Sequence, residues 1–323
     1  MTEQKSLIDL AIGEQLNMFL IVSRSQFKNA RTGKTYLDLE LRDKTAILPA
    51  KVWDRIDDLR DKIKDGIIVK IAGQVEEFNG MPQIRVEKIR AAVKSDNVDL
   101  EDFLPKSIIP LEIMIDDFNK IVDSVTNTFL KSLLRNIFSN NSFNKFSRAP
   151  AGKAWHHAYI HGLLEHTLEI IRICDLMCNI HPEVNRDLLI CGALLHDFGK
   201  TDELTYETVF DYSDKGKFIG HIVLSAIEVE KAISSIPDFP EDLKNQLIHL
   251  ILSHQGKLEF ASPVEPKTLE AIVLYQADEL SAKTNAYKSA IEADKNKSGN
   301  WTRFLTLANT SLYIPIENGN NNK

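Results

Sequence analysis

Cysteine is scarce in this chain of 323 residues: Cys174, Cys178 and Cys191 are an odd number, with a C-x3-C spacing that zinc sites do not usually adopt. A disulfide framework is excluded, and buried core thiols are expected. Long apolar runs are also missing. The longest, Leu188 to Leu195, falls far short of the roughly 18 residues a membrane-spanning helix needs, so no membrane partner is expected. The first residues mix Glu3, Lys5, Asp9 and Glu14 with apolar ones. They lack the basic-then-apolar layout of a secretory signal, and a cytoplasmic address is the expectation. Nor is apolar content low: 43% hydrophobic and 8% aromatic rule out global disorder, and the length fits about two domains. Histidine is absent before His156.

Charge is unevenly spread. The net charge is −7, yet residues 1–93 carry 16 Lys+Arg against 14 Asp+Glu, and the remainder carries 23 against 32. A mildly basic module followed by an acidic one suits a polyanion-gripping domain joined to a cation-binding one. Between Asn17 and Ala92 short apolar and polar runs alternate with period two, as at Leu37, Leu39 and Leu41. Strands are predicted at Met18 to Ser23, around Tyr36 to Leu41, and at Ile47 to Trp53, Ile67 to Val75 and Gln83 to Ile89. Thr32-Gly33 and Asn79-Gly80 mark tight turns, and Arg55 to Lys64 reads as a helix. Five strands with a helix between the third and fourth is the order of an OB-fold, and it resembles the anticodon-binding OB modules. A single-strand grip needs aromatic faces and cations. Phe27, Tyr36 and Trp53 supply the first, and Arg24, Lys28, Arg31, Lys34 and Lys51 the second. Phe27 and Trp53 serve equally well to complete a small barrel core.

Residues 94–110 read as a linker, with Pro105 and Pro110 flanking a short apolar patch. Beyond it the period becomes helical through Leu111 to Ser139, Ile160 to Cys178, Asp187 to Asp197, Ile222 to Ile233 and Leu243 to Leu252. The fold class is therefore multidomain: an all-β OB barrel over 1–93, then an all-α domain over 111–316. Residues 317–323 are too polar to pack and are expected to be disordered. Trp301 to Ile316 is apolar enough to pack on a domain or on another subunit, which leaves a homo-oligomer open.

All nine histidines lie between His156 and His254. The informative stretches are Gly162-Leu163-Leu164-Glu165-His166-Thr167-Leu168, His196-Asp197-Phe198-Gly199-Lys200, Gly220-His221, Ser253-His254 and Ala277-Asp278-Glu279-Leu280. Imidazole and carboxylate together suit divalent transition metals, and one carboxylate can bridge two cations about 3.5–4 Å apart. An ionisable pair at the end of an apolar helix is costly to bury unless something satisfies it. The pattern resembles the HD-domain metal-dependent phosphohydrolases. That resemblance implies one ion on His166, His196, Asp197 and Asp278, and a second on Asp197, His221 and His254, with Mn²⁺, or alternatively Co²⁺, Fe²⁺ or Mg²⁺. It implies catalytic roles for Asp197, Lys200 and His221, with Lys200 either contacting a substrate phosphate or merely capping a helix end. His156 and His157 follow a segment resembling the access loop of one HD subgroup and are placed on the substrate path. Gln255 departs from the second His that related chains often carry.

An OB-fold followed by an HD domain, over about residues 12 to 310, is similar to the YhaM family of bacterial 3′→5′ exoribonucleases. The implied activity is metal-dependent hydrolysis of single-stranded RNA, and of single-stranded DNA as a further substrate, to nucleoside 5′-monophosphates. The alternatives are an HD-domain nucleotide or cyclic-nucleotide phosphohydrolase, and a single-strand-binding protein with an inert HD domain. No Gly-Tyr-Pro follows His254, which counts against a cyclic-dinucleotide substrate.

Overall fold

The computed structural model describes residues 4–315 apart from 31, 55, 99, 207–209, 296–298 and 307. Arg31 and the tail at 317–323 lie outside the described residues. The chain divides into two compact units between Ile108 and Ile109, and Leu204–Tyr212 groups with the first of them.

In the first unit five strands close a barrel: β1 (Gln15–Asn29), β2 (Thr35–Arg42), β3 (Ile47–Val52), β4 (Ile68–Phe78) and β5 (Met81–Ala91), in the order β1-β2-β3-β5-β4. This is the OB-fold. β1 is long because it serves two neighbours. Gln15–Ile21 pairs with β4 and Ile21–Asn29 with β2, and an irregularity between Val22 and Arg24 turns the strand from one to the other. β3 and β5 run parallel, Ala50 opposite Ile84. Alternation does the rest: Leu37, Leu39 and Leu41 are buried while Tyr36, Asp38 and Glu40 stay partly exposed. At Asn79 and Gly80 φ is 53° and 76°, with Phe78 opposite Met81. Positive φ at both central positions is the two-residue turn whose twist matches a hairpin.

The helix expected over Arg55 to Lys64 is not formed. Only a single 3₁₀ turn, Asp57–Leu59, appears, followed by turns. Its apolar residues, Leu59 and Ile63, plug the barrel, while Asp57, Asp58 and Asp61 favour local side-chain bonding over a helical interior.

The second unit is helical: α1 (Leu111–Ser124), α2 (Thr128–Ile137), α3 (Asn140–Arg148), α4 (Gly162–Ile180), α5 (Arg186–Leu195), α6 (Lys200–Glu203), α7 (Asp214–Ile219), α8 (His221–Ile233), α9 (Glu241–Ser253) and α10 (Leu269–Asp294). The run predicted from Leu111 to Ser139 is two helices, because Asn127 restarts the chain by accepting from the backbone N–H groups of Phe129 and Leu130. The helical pattern also breaks where β6 (Leu204–Thr205) pairs with β7 (Asp211–Tyr212), and at the bridges Trp301–Tyr313 and Leu305–Thr310. All three cysteines are free, Cys174 and Cys191 buried. Among the described residues no helix is long and apolar enough to cross a membrane.

Candidate metal centre

α4 and α5 form the middle of the helical unit, and both are buried where they carry the key residues: Gly162–Leu168 on α4 and Leu188–Leu195 on α5. α5 ends at His196, which keeps helical dihedrals. A turn follows, braced by Phe198, whose ring centroid lies 5.5 Å from that of Phe138 and 6.3 Å from that of Phe146. Gly199 permits what comes next. A Cβ there would fall 2.2 Å from the His221 carbonyl oxygen and 2.7 Å from the Ser225 backbone nitrogen. Without one, the start of α8 closes on the turn, Gly199 N–H donates to Ser225 Oγ at 2.8 Å, and His221 reaches Asp197.

Asp197, 2% exposed, divides its two oxygens. Oδ2 lies 3.3 Å from His196 Nε2, 3.7 Å from His166 Nε2 and 2.6 Å from Lys200 Nζ. Oδ1 lies 3.4 Å from His221 Nε2 and 3.6 Å from His254 Nε2. Asp278 Oδ1 is 3.0 Å from His166 Nε2. The six residues picked out in the sequence thus come together, with Asp278 supplied from the interior of α10.

Every imidazole is aimed by its other nitrogen. His196 Nδ1 and His254 Nδ1 face the carbonyl oxygens of Ala193 and Ile251 at 2.8 and 2.7 Å. A carbonyl only accepts, so each Nδ1 carries the proton and each Nε2 a lone pair. His221 Nδ1 meets Glu203 Oε1 at 3.0 Å, and Glu203 also accepts from the His221 backbone N–H. His166 Nδ1 meets Ser281 Oγ at 3.1 Å, and Ser281 donates onward to Glu169 Oε2 at 2.8 Å. Such supporting contacts fix ring orientation and ligand basicity.

The inward-facing atoms make no hydrogen bond within the protein. The Nε2 atoms of His166, His196, His221 and His254, and Asp197 Oδ1, are buried without a hydrogen bond, an expensive state unless a ligand satisfies it. Donor atoms fall within 4.8 Å of one another in two sets, His166–His196–Asp197 and Asp197–His221–His254. Mixed imidazole and carboxylate donors of this kind fit divalent cations. Burial pushes the His254 imidazole down to about 3 and holds His166 well below its usual value, so both are neutral donors. Burial pushes His196 the same way, but the Asp197 carboxylate outweighs it and its pKa rises. Lys200 is likewise raised despite burial, chiefly by Asp197, and remains an ammonium.

His156 and His157 stand beside the centre, their ring centroids 5.0 and 5.1 Å from that of His166. His249 accepts from the Lys267 backbone N–H and takes no part. Glu203, Ser281 and Glu169 were not singled out from the sequence. The available signal was helical spacing, since Ser281 and Glu169 each stand three residues beyond a ligand-type residue, Asp278 and His166.

On the barrel, Tyr36 and Trp53 stack with centroids 4.6 Å apart. Lys51 Nζ lies 5.7 Å from the Tyr36 ring and 4.4 Å from that of Phe78, an exposed aromatic that is not among those expected from the sequence. Phe27 packs partly against the barrel core and under Arg60, 4.6 Å away. Arg24, Lys28 and Lys34 pair with Glu40, Asp38 and Asp54. Contacts of this exposed kind are worth about 0–1 kcal/mol, small enough for a phosphate to displace.

Comparison with known proteins agrees with these parts. The HD domain family matches residues 163–283, and the OB-fold nucleic acid binding domain family matches residues 20–92. The chain is 33% identical over 313 residues to the 3′-5′ exoribonuclease YhaM of Geobacillus sp. (strain WCH70), covering 97% of this chain and 95% of that one. The chain belongs to the YhaM family. Against solved structures the likenesses are short. A domain of replication protein A from Methanococcus maripaludis matches 27% of this chain and 92% of its own, at 22% identity and a TM-score of 0.24. The mitochondrial single-stranded DNA binding protein Rim1 of S. cerevisiae matches 25% and 97%, at 10% identity and 0.22. It is the end-to-end match to YhaM, with both domains in the same chain, that makes this protein a hydrolase acting on nucleic acid.

Proposed function

We propose that this chain is a metal-dependent 3′→5′ exonuclease that removes nucleoside 5′-monophosphates from single-stranded RNA, and from single-stranded DNA as a further substrate. In this reading residues 1–93 bind the strand, 94–110 link, and 111–316 hydrolyse, in the cytoplasm. The observation that carries it is the Asp197 carboxylate, with Oδ2 turned to His166 and His196 and Oδ1 turned to His221 and His254. His166, His196, Asp197 and Asp278 would hold one ion, and Asp197, His221 and His254 a second, with Mn²⁺ the proposed metal. Bound there, divalent ions lower the pKa of water and neutralise charge developing on the phosphoryl oxygens.

The chain's own residues do the remaining work. Lys200, kept protonated by Asp197, offers a fixed positive charge to the scissile phosphate. Glu203 holds the His221 ring and backbone together, so His221 presents its Nε2 to the centre in one orientation. His156, beside His166, lines the approach, and His157, also beside His166, is buried in the same loop. The Tyr36–Trp53 stack and Lys51 give bases a face and phosphates a cation, and holding a strand by one domain raises its effective concentration at the other.

The test is the Mn²⁺-loaded chain against 5′-labelled single-stranded RNA and DNA. Shortening in single-nucleotide steps with release of 5′-monophosphates is expected. Internal fragments only, or no hydrolysis, overturns the reading.

A further inference from the structure

A second cluster of ligand-type side chains lies outside the six-residue centre. Glu165 and Glu169 stand one helical turn apart on α4 and face the same way. His157, in the loop before α4, comes down on them: its Nε2 lies 3.3 Å from Glu169 Oε2, and one donor atom from each of the three residues falls within 4.8 Å of the others. The loop is held where it is. The His157 backbone N–H donates to Asn285 Oδ1 at 2.8 Å, its carbonyl accepts from Ala151 and Tyr159, and its φ is +43°.

Three of the atoms buried here make no hydrogen bond. The His157 side chain is fully buried, and neither ring nitrogen makes a hydrogen bond; Glu165 Oε2 is buried and unbonded as well. A simple His157–Glu169 ion pair would answer for one carboxylate and leave the Glu165 oxygen stranded. Glu165 is buried and Glu169 only partly exposed, and two carboxylates brought this close repel each other unless a cation lies between them. Two carboxylates and one neutral imidazole carry two negative charges, the complement of a divalent ion, and this oxygen-rich donor set suits Mn²⁺ or a similar cation.

We propose that His157, Glu165 and Glu169 form a third divalent-cation site, separate from the centre built on Asp197. It rests on no residue of that centre, and it cross-links the loop carrying His156 and His157 to α4. Glu169 also receives the Ser281 hydroxyl that supports His166, so an ion here bears on how firmly His166 is aimed.

The test counts metal in the full-length chain, stripped with chelator, dialysed against Mn²⁺ and desalted, and locates it by anomalous scattering in Mn²⁺-soaked crystals. Three ions per chain are expected, one within bonding reach of His157 and Glu165. Glu165→Gln, nearly isosteric, and His157→Asn, whose side chain tolerates a left-handed backbone, should each bind two. Asp197→Ala should keep only the third. A wild-type count below three, or three retained by both Glu165→Gln and His157→Asn, overturns the third site. A count of two leaves the nuclease reading standing, while a count of zero removes both.

Discussion

At Asp197 two demands meet in one side chain. It is buried, yet its carboxyl is held well below the usual carboxylate range, because Lys200 and His196 outweigh the burial that pushes the other way. Removing it strips both histidine pairs of their shared oxygen donor. Asp197→Ala should therefore abolish hydrolysis and leave oligonucleotide binding by the barrel intact, as read by fluorescence anisotropy; parallel loss of both would contradict the division of labour. Glu203 acts from behind one of the rings. It touches no inward-facing nitrogen but grips His221 twice, and Glu203→Ala should weaken Mn²⁺ binding or activity about 10–100-fold, the usual cost of losing such a support. The ligand-type residues were legible in the sequence because histidine is rare and clustered. Glu203 was not, since an acidic residue in the charged run from Lys200 to Glu203 carries no signal of its own; its role exists only because α8 folds back over Gly199.

At the scale of elements, the barrel's aromatic step and the helical unit's tie points make separate predictions. Tyr36→Ala removes a stacking face worth about 1–3 kcal/mol per base, and Lys51→Ala removes a cation that also flattens the salt dependence of binding. Titration of labelled single strands at several ionic strengths reads both, and cleavage of a small chromogenic phosphodiester should be unchanged. In the helical unit, Asp187 in the first turn of α5 accepts from the backbone N–H and hydroxyl of Thr126 and the N–H of Asn127, tying the α1–α2 link to α5. Burial pushes its carboxyl up, but those bonds outweigh it and hold it low. A carboxyl depressed in the folded state contributes stability above its unfolded value of about 3.9, lost as pH falls through the folded value. Asp187→Asn should lower the unfolding midpoint near pH 7 and narrow the gap to wild type in acid. Strand alternation made the barrel legible in the sequence. The segment from Arg55 to Lys64 misled because Ile56, Leu59 and Ile63 are spaced as on a helix but are used as a plug, a role that tertiary closure decides.

For the molecule as a whole, metal and strand are assigned to different units, so they should part experimentally. Ions bound only by the folded helical unit stabilise it by an amount that grows with saturation, about 2.7 kcal/mol at a hundredfold excess over the dissociation constant. Chelation should lower the calorimetric transition of that unit and stop hydrolysis while the barrel still retains a labelled strand; an unshifted transition would argue that no ion contributes to the fold. The order of two domains could be read from period and charge alone. The return of Leu204–Tyr212 to the first unit could not, because two short strands inside a helical stretch leave no periodic trace. The partition of Asp197's oxygens has one more consequence. Because a single carboxylate faces both imidazole pairs, the two seats can be tuned apart only through side chains that serve one of them: rebuilding His166, His196 and Asp278, or His221 with His254, is the route to a mixed-metal enzyme, whereas any edit at position 197 alters both seats at once.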